Sequence, residues 1–344
     1  MESIFIPRYF WNGTNDEVCT NTAVLVRDNR IEQIDEPEKL RLGYPEAQVL
    51  ESKDWLMMPA FVDAHDHGRG MSPISFRTPD RALEMWLQDL NKLPAIPHYQ
   101  ACYYDGMRLV SSGVSMVLHS HNPNSFAQIR EEMGYKDAGI RSILCPLYLD
   151  QNKRIYYDRD KFISDLPEPL RTNFVAGIHD KIMSMNEYFQ LVEGICEDLA
   201  DDIKAGWTEV QLHPNGGQWC SDKALLQMKE YALKHGMYIH LHLLETQYQA
   251  EYAKRTWGKS FIKHYKEIGF LGPWVSFAHA VWLDEEDLQL IAESGAHLIT
   301  NPSSNLRLRS GIFNMQRANE LGIDCGIGLD GCAFDDDQDY LREI

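Results

Sequence analysis

The sequence predicts an α/β protein, a (β/α)8 TIM-type barrel preceded by a small N-terminal β-sandwich-like domain. Three observations carry this. From residue 56 onward, eight short apolar or β-branched runs alternate with helical patterns, the rhythm of such a barrel. Polar residues close strand after strand, as they do where a barrel gathers its site at the C-terminal ends of its strands. An open doubly wound sheet would instead focus its site at one switch point. Residues 1–55, in contrast, read as strands.

In that first segment Ile4–Phe10 alternates, and Trp11-Asn12-Gly13 turns the chain. Ala23–Val26 and Ile31–Ile34 flank Asp28-Asn29, a hairpin dipeptide. Lys39–Glu46 is polar, and Gln48–Trp55 leads into the next domain. So short a segment is expected to pack against that larger domain.

Residues 56–344 hold the barrel. The first strand is the apolar run Leu56–Val62, ending at Asp63-Ala-His65-Asp-His67. Ala82–Leu93 and Tyr99–Ser111 are helical, Gly113–His119 is the second strand, Ser125–Met133 is helical and Ile140–Tyr148 is the third strand. Residues 149–205 form a long connection with a helix near Asn186–Ile203. Trp207–His213 is the fourth strand, and Ser221–Lys234 a helix with Ser221 as N-cap. Strands at Tyr238–Leu243, Val275–His279, His297–Thr300 and Cys325–Leu329 complete the set. Helices within Gly258–Ile268 and at Asp284–Glu293 and Phe313–Leu321 separate them.

Composition excludes several classes of partner. There are 33 Lys+Arg against 51 Asp+Glu, a net charge of −18, which argues against nucleic acid or an anionic membrane surface. The cysteines number 7, without a Cys-x-x-Cys motif, and suit a reducing compartment better than a disulfide framework. The N-terminus lacks a basic and then apolar leader, and no long apolar run is present, so a cytoplasmic protein is expected.

With 13 histidines in 344 residues, a His-x-His pair should arise by chance less than once, yet three occur: His65/His67, His119/His121 and His240/His242. Residues two apart on a strand share a face, so such a pair can reach one ion. Neutral imidazoles suit zinc and other borderline divalent metals. In YIHLHLLET, His240 or His242 could complete a set begun by His65 and His67, and Glu245 falls just past the strand end. His279, bracketed by alanines in SFAHAVW, fits a ligand or an internally satisfied core histidine equally well. Asp330 closes the apolar strand GIGLDG, where an unpaired buried carboxylate would be costly, so a cation partner is expected. The same six residues spell a dinucleotide fingerprint, but the chain ends too soon after Gly331 for the rest of that motif. No zincin helix, Walker loop or nucleophile elbow is present, and no lysine ends the fourth strand to bridge two metals. One ion is therefore expected.

Taken together, PAFVDAHDH, HLHLLET, FAHAVWL, NPSSNLRLRSGI and GIGLDG resemble the amidohydrolase superfamily, in its branch of aromatic deaminases and chlorohydrolases. The resemblance covers nearly the whole chain, with Ala60 standing where the family usually has glycine. It implies His65, His67, His242 and Asp330 as ligands of one divalent ion, zinc first, with iron(II) or manganese(II) tolerated. It implies Glu245 as proton shuttle and His279 as the group that orients the attacking water, with Asp330 catalytic beside them. His213 matches a position that contacts substrate, and His121, Asn305 and Arg307 are further candidates. The implied reaction is hydrolytic deamination of an amino-substituted purine, pyrimidine or triazine, with release of ammonia. Opening of an amide bond, displacement of chloride, and an inactive barrel acting as a binding module are the alternatives. Arg69, Arg77, Trp86, Tyr103 and the Tyr156-Tyr157 pair are expected to shape specificity. Family members continue beyond the eighth strand to finish the small β domain. This chain stops at Ile344, so that domain is expected to be incomplete, and the flank left uncovered allows a homodimer.

Overall fold

Alternating apolar residues build one four-stranded sheet from the N-terminal segment. Its strands are β1 (Glu2–Phe10), β2 (Ala23–Arg27), β3 (Arg30–Asp35) and β4 (Gln48–Met57), in the order β3-β2-β1-β4. The first three pair antiparallel, and β4 lies parallel to β1. Asp28 and Asn29 both take positive φ, 48° and 62°, as a primed hairpin turn requires. Ile4, Ile6, Ala23, Leu25 and Leu40 form the core of this unit. Leu40 belongs to a helix, Pro37–Gly43, that overlaps the stretch Lys39–Glu46 read as largely polar; it is the helix's one buried residue, too sparse a signal for periodicity. In the computed structural model, residues 2–14, 16–90, 93–94, 96–120, 126–151, 159–176, 183–331 and 337–344 are described. They divide into two units, Met1–Ala60 and Phe61–Ile344. No helix among them is long and apolar enough to cross a membrane.

The second unit alternates strand and helix. Its strands are β5 (Phe61–Asp66), β6 (Val114–Ser120), β7 (Arg141–Cys145), β8 (Leu147–Tyr148), β9 (Thr208–Val210), β10 (His213–Pro214), β11 (Ile239–Leu243), β12 (Val275–His279), β13 (His297–Thr300) and β14 (Cys325–Ile327). They form two parallel four-stranded sheets, β5-β6-β7-β9 and β11-β12-β13-β14, and a short parallel pair of β8 with β10. Leu212 N–H donates to the Tyr238 carbonyl at 3.0 Å and His240 N–H to the Leu212 carbonyl at 2.9 Å, tying the chain after β9 to β11. Asp330 N–H donates to the His65 carbonyl at 2.8 Å, which ties the chain after β14 to β5. There a Cβ on Gly328 would lie 2.7 Å from His65 Cβ. Only glycine permits so close an approach of the two backbones.

Two prolines correct the strand boundaries. The first strand begins at Phe61 rather than Leu56, because Pro59 has no N–H to give a sheet; Leu56 and Met57 instead end β4. Pro146 divides the expected third strand into β7 and β8 for the same reason. Helix ends follow their capping chemistry. Ser221 Oγ accepts from Ala224 N–H at 3.2 Å to open Asp222–His235, and Asp284 forms a capping box ahead of Glu285–Ser294. The helices cover the strands through one large apolar cluster that includes Leu241, Leu243, Phe261, Tyr265 and Phe277.

Candidate active site

Strand ends bring the histidines together. His65 lies within β5 and His67 just beyond it, His242 is in β11, His279 ends β12, and Asp330 follows β14. His67 Nδ1–H donates to the Ser120 carbonyl at 2.7 Å, and His242 Nδ1–H to the Asn215 carbonyl at 2.5 Å. A carbonyl can only accept, so each ring carries a proton on Nδ1, and its neutral form presents a bare Nε2 lone pair. Those two Nε2 atoms face each other at 3.3 Å. His65 is fixed from behind, its Nδ1 pairing with His240 Nε2 at 2.8 Å while His240 Nδ1 pairs with Ser276 Oγ at 2.8 Å. Its own Nε2 is buried without a hydrogen-bond partner among the described residues.

Asp330 completes the group, with Oδ1 3.1 Å from His67 Nε2 and 3.4 Å from His65 Nε2. Ser304 Oγ donates to its other oxygen at 2.6 Å. Burial pushes the His65 imidazole down to about 4 and His242 well below its ordinary value, so both are neutral at pH 7. Burial alone would raise the Asp330 carboxyl, but a proton on the His65 or His67 Nε2 that faces it outweighs burial and lowers the group well below the usual range. Ligand atoms of His65, His67 and His242 lie within 4.8 Å of one another, as do those of His65, His279 and Asp330. Lone pairs converging on a buried point, each ring held by a neighbour behind it, fit a divalent cation.

Glu245 stands beside this cluster. Its backbone N–H donates to Gln249 Oε1 at 2.9 Å, the buried side chain places Oε2 3.7 Å from His279 Nε2, and Oε1 has no partner among the described residues. Burial raises this carboxyl well above its ordinary value, and the nearby Asp330 and Glu84 add to the shift, so its protonated form is favoured. His279 Nδ1–H donates to Asn305 Oδ1 at 3.0 Å, leaving Nε2 as its basic face. Leu244, His279, Ala280 and Asp330 all adopt positive φ, between 49° and 72°. Such left-handed turns in non-glycine residues cost about 1 kcal/mol or more each, and they bend the chain sharply at the ends of β11 and β12 and after β14.

The other sequence candidates are placed differently. His213 donates from Nδ1 to the His240 carbonyl at 2.6 Å and receives Ser120 Oγ–H on Nε2 at 2.8 Å, so both its nitrogens are committed. Arg307 makes two hydrogen bonds to Asp80, at 2.9 and 3.1 Å. Asn305 orients His279. His121 lies outside the described residues, as do Tyr156 and Tyr157. His119 belongs to a second cluster, with Nδ1 2.9 Å from Tyr135 Oη and Nε2 3.2 Å from Glu132 Oε1. A cavity of about 240 Å³ opens beside His67, lined by Arg69, Met71, Phe76, Leu93 and Ile96 among others. Sequence reasoning missed the carbonyls of Ser120 and Asn215, which leave no side-chain signal. It also missed the Ser304 hydroxyl, although that residue sits within NPSSN.

A family profile, that of the amidohydrolase family, matches residues 56–344. The chain is 26% identical over 329 residues to the 5'-deoxyadenosine deaminase of Methanosarcina barkeri, covering 94% of this chain and 67% of that protein. It is 27% identical over 345 residues to the 5-methylthioadenosine/S-adenosylhomocysteine deaminase of Thermococcus onnurineus, covering 98% and 71%. An adenosine deaminase from Xanthomonas campestris, solved with bound zinc, superposes with a TM-score of 0.80 at 21% identity, covering 99% of this chain and 72% of that one. At that identity the likeness is one of fold.

Proposed function

The chain belongs to the amidohydrolase family, and from that premise we propose that it is a metal-dependent hydrolase that removes the exocyclic amino group of a heterocyclic base and releases ammonia. Relatives named as deaminases of 5'-deoxyadenosine and of 5-methylthioadenosine or S-adenosylhomocysteine support the reaction class. One observation carries the reading. Glu245 is a buried carboxyl whose burial favours the neutral form, and among the described residues it has an uncommitted oxygen on the side chain that stands beside His279. Deamination requires a proton for a ring nitrogen and another for a departing amine, whereas chloride leaves without either.

The two parallel sheets are read as halves of one closed (β/α)8 barrel in residues 56–344, with residues 1–55 as a small β domain. The main-chain hydrogen bonds from Asp330 to His65 and between Leu212 and β11 support closure. His65, His67, His242 and Asp330 would hold one divalent ion, zinc by preference for neutral imidazoles with a carboxylate. When bound, such an ion supplies Lewis-acid activation of water.

The remaining work falls to the chain. His279 turns a basic Nε2 toward the cluster and takes the proton that the attacking water releases. Glu245 gives its proton to the ring nitrogen next to the reacting carbon, takes one from the hydroxyl of the adduct and passes it to the amine as it leaves; the proton held on His279 Nε2, 3.7 Å away, then restores the carboxyl. Asn305 keeps His279 in the required tautomer, and Ser304 keeps Asp330 in place. His213 acts on Ser120 and His240 rather than on substrate. Ammonia release from purine nucleosides, amino-pyrimidines and amino-triazines by metal-replete protein tests the proposal. Turnover of chloro-triazines or amides in the absence of any ammonia from these amines would overturn it.

A further inference from the structure

Arg69 sits two residues after His67, between two glycines that hold its backbone in place. Gly68 and Gly70 take φ of 58° and 66°. A Cβ on Gly68 would overlap the His119 ring, and one on Gly70 would lie 2.8 Å from the Ala101 carbonyl. The turn therefore admits no larger residue on either side of the arginine. Its guanidinium carbon lies over the buried Trp86 ring, 5.2 Å from the ring centre, a cation–π distance.

Among the described residues, one donor nitrogen of Arg69 is without an acceptor: its Nη1 is shut from solvent and has no hydrogen-bond partner. Its charged company is Asp330 and Asp66, which act on it through space. Other arginines are spoken for: Arg307 grips Asp80, Arg317 grips Glu285, and Arg27 grips Glu2. A guanidinium has five N–H donors and no acceptor, and this half-buried one leaves Nη1 unpaired among the described residues, a donor that a ligand could satisfy. It faces the same cavity of about 240 Å³ as His67, whose other lining residues include apolar Met71, Phe76, Leu93 and Ile96.

We propose that Arg69 is a specificity-determining residue that binds an acceptor edge of the substrate, so that the preferred substrate is an amino heterocycle bearing a ring carbonyl. This deepens the deaminase reading above and rests on it. The guanidinium fork matches two acceptors side by side, such as the carbonyl oxygen and ring nitrogen of an oxo-purine. On adenine the same edge carries an amino donor beside the nitrogen, which arginine cannot pair in that way. Stacking on Trp86 and the apolar lining suit a flat ring held edge-on to the arginine.

The test uses metal-loaded protein with guanine and isocytosine as carbonyl-bearing amines, and adenine and 2-aminopyrimidine as amines without one. Wild type should turn over the first pair with kcat/KM at least ~100-fold higher, since a site built to hydrogen-bond a group rejects analogues lacking it. Arg69→Leu should lower kcat/KM for that pair by roughly 10–100-fold, mainly through KM, the worth of a charged hydrogen bond. Metal content and melting temperature should hold, and Arg69→Lys should recover only part of the loss. Preference for the carbonyl-free amines, or a preference that Arg69→Leu leaves intact, overturns the proposal. If no amine releases ammonia, the deaminase reading fails by itself. Calorimetric binding of xanthine and uracil then decides the arginine's role: at least about 10-fold weaker binding to Arg69→Leu supports it, and equal or undetectable binding to both proteins refutes it.

Discussion

His67 and His242 point bare imidazole nitrogens at each other across 3.3 Å, and each ring has its only proton tied to a main-chain carbonyl on the far side. Two lone pairs at that distance repel unless something positive lies between them. Removing either ring should therefore remove the ion. His67→Ala and His242→Ala are expected to lose most of the bound metal and turnover together, as measured by elemental analysis and assay. Full occupancy in either variant would show that the pair is not a ligand set.

Histidines one step away should behave otherwise. His240 pairs its Nε2 with Nδ1 of His65, on the side of that ring away from Nε2, so His240→Ala should weaken metal affinity by about 10–100-fold, the usual range for a residue that orients a ligand. His119 serves Glu132 and Tyr135 instead. His119→Ala should keep the metal and lower stability by about 1–3 kcal/mol, because it strips a buried carboxylate of a partner. Metal titration and chemical denaturation of both variants separate the two roles.

Glu245→Gln keeps size and polarity but cannot deliver a proton. Turnover should fall by roughly 10²–10⁴, the ordinary worth of general acid–base catalysis, with metal content and fold preserved. Turnover within a few-fold of wild type would remove Glu245 from the reaction.

The same carboxyl predicts a pH dependence of stability in the metal-free protein. Its pKa is raised in the folded state, so above the ordinary carboxyl value of 4.5 the folded chain holds a proton that the unfolded chain has lost. Stability must then decline as pH rises from there toward the raised value. Glu245→Gln, having no charge to bury, should lack this decline. Denaturation midpoints for both proteins between pH 5 and about pH 8, a range within which buried glutamates titrate, provide the check. Parallel curves would mean that Glu245 is ionised at neutral pH.

Gly328→Ala should damage the site from the backbone side. Its Cβ would meet His65 Cβ at 2.7 Å and the His65 backbone at 2.8 Å. Forcing the chain after β14 away from β5 should cost about 1–3 kcal/mol and loosen the metal by displacing His65 and Asp330 together. Unchanged melting and unchanged metal affinity would disprove the contact.

Much of this arrangement was legible in the residues. His65, His67, His242, His279 and Asp330 were visible because each closes an apolar run. Strand boundaries near Pro59 and Pro146 were misread because an apolar run continues through a proline even where a ladder cannot. The helix Pro37–Gly43 escaped notice because one buried leucine is no pattern. The resemblance implied His213 as a substrate contact, and its nitrogens bond to Ser120 and to the His240 carbonyl. Side-chain identity says which strand carries a histidine, and the path of neighbouring backbone decides which nitrogen it presents.

That division of labour bears on how the site can change through descent. The proton positions of His67 and His242 are set by carbonyl oxygens at positions 120 and 215, and a carbonyl is present whatever amino acid is encoded there. Mutational drift at those codons can alter packing without touching the chemistry they impose on the rings. An insertion or deletion that shifts the backbone by one residue would change it at once. Two descendants could thus differ freely in side chain at 215 and agree in tautomer, provided that they keep the same spacing to the strands on either side.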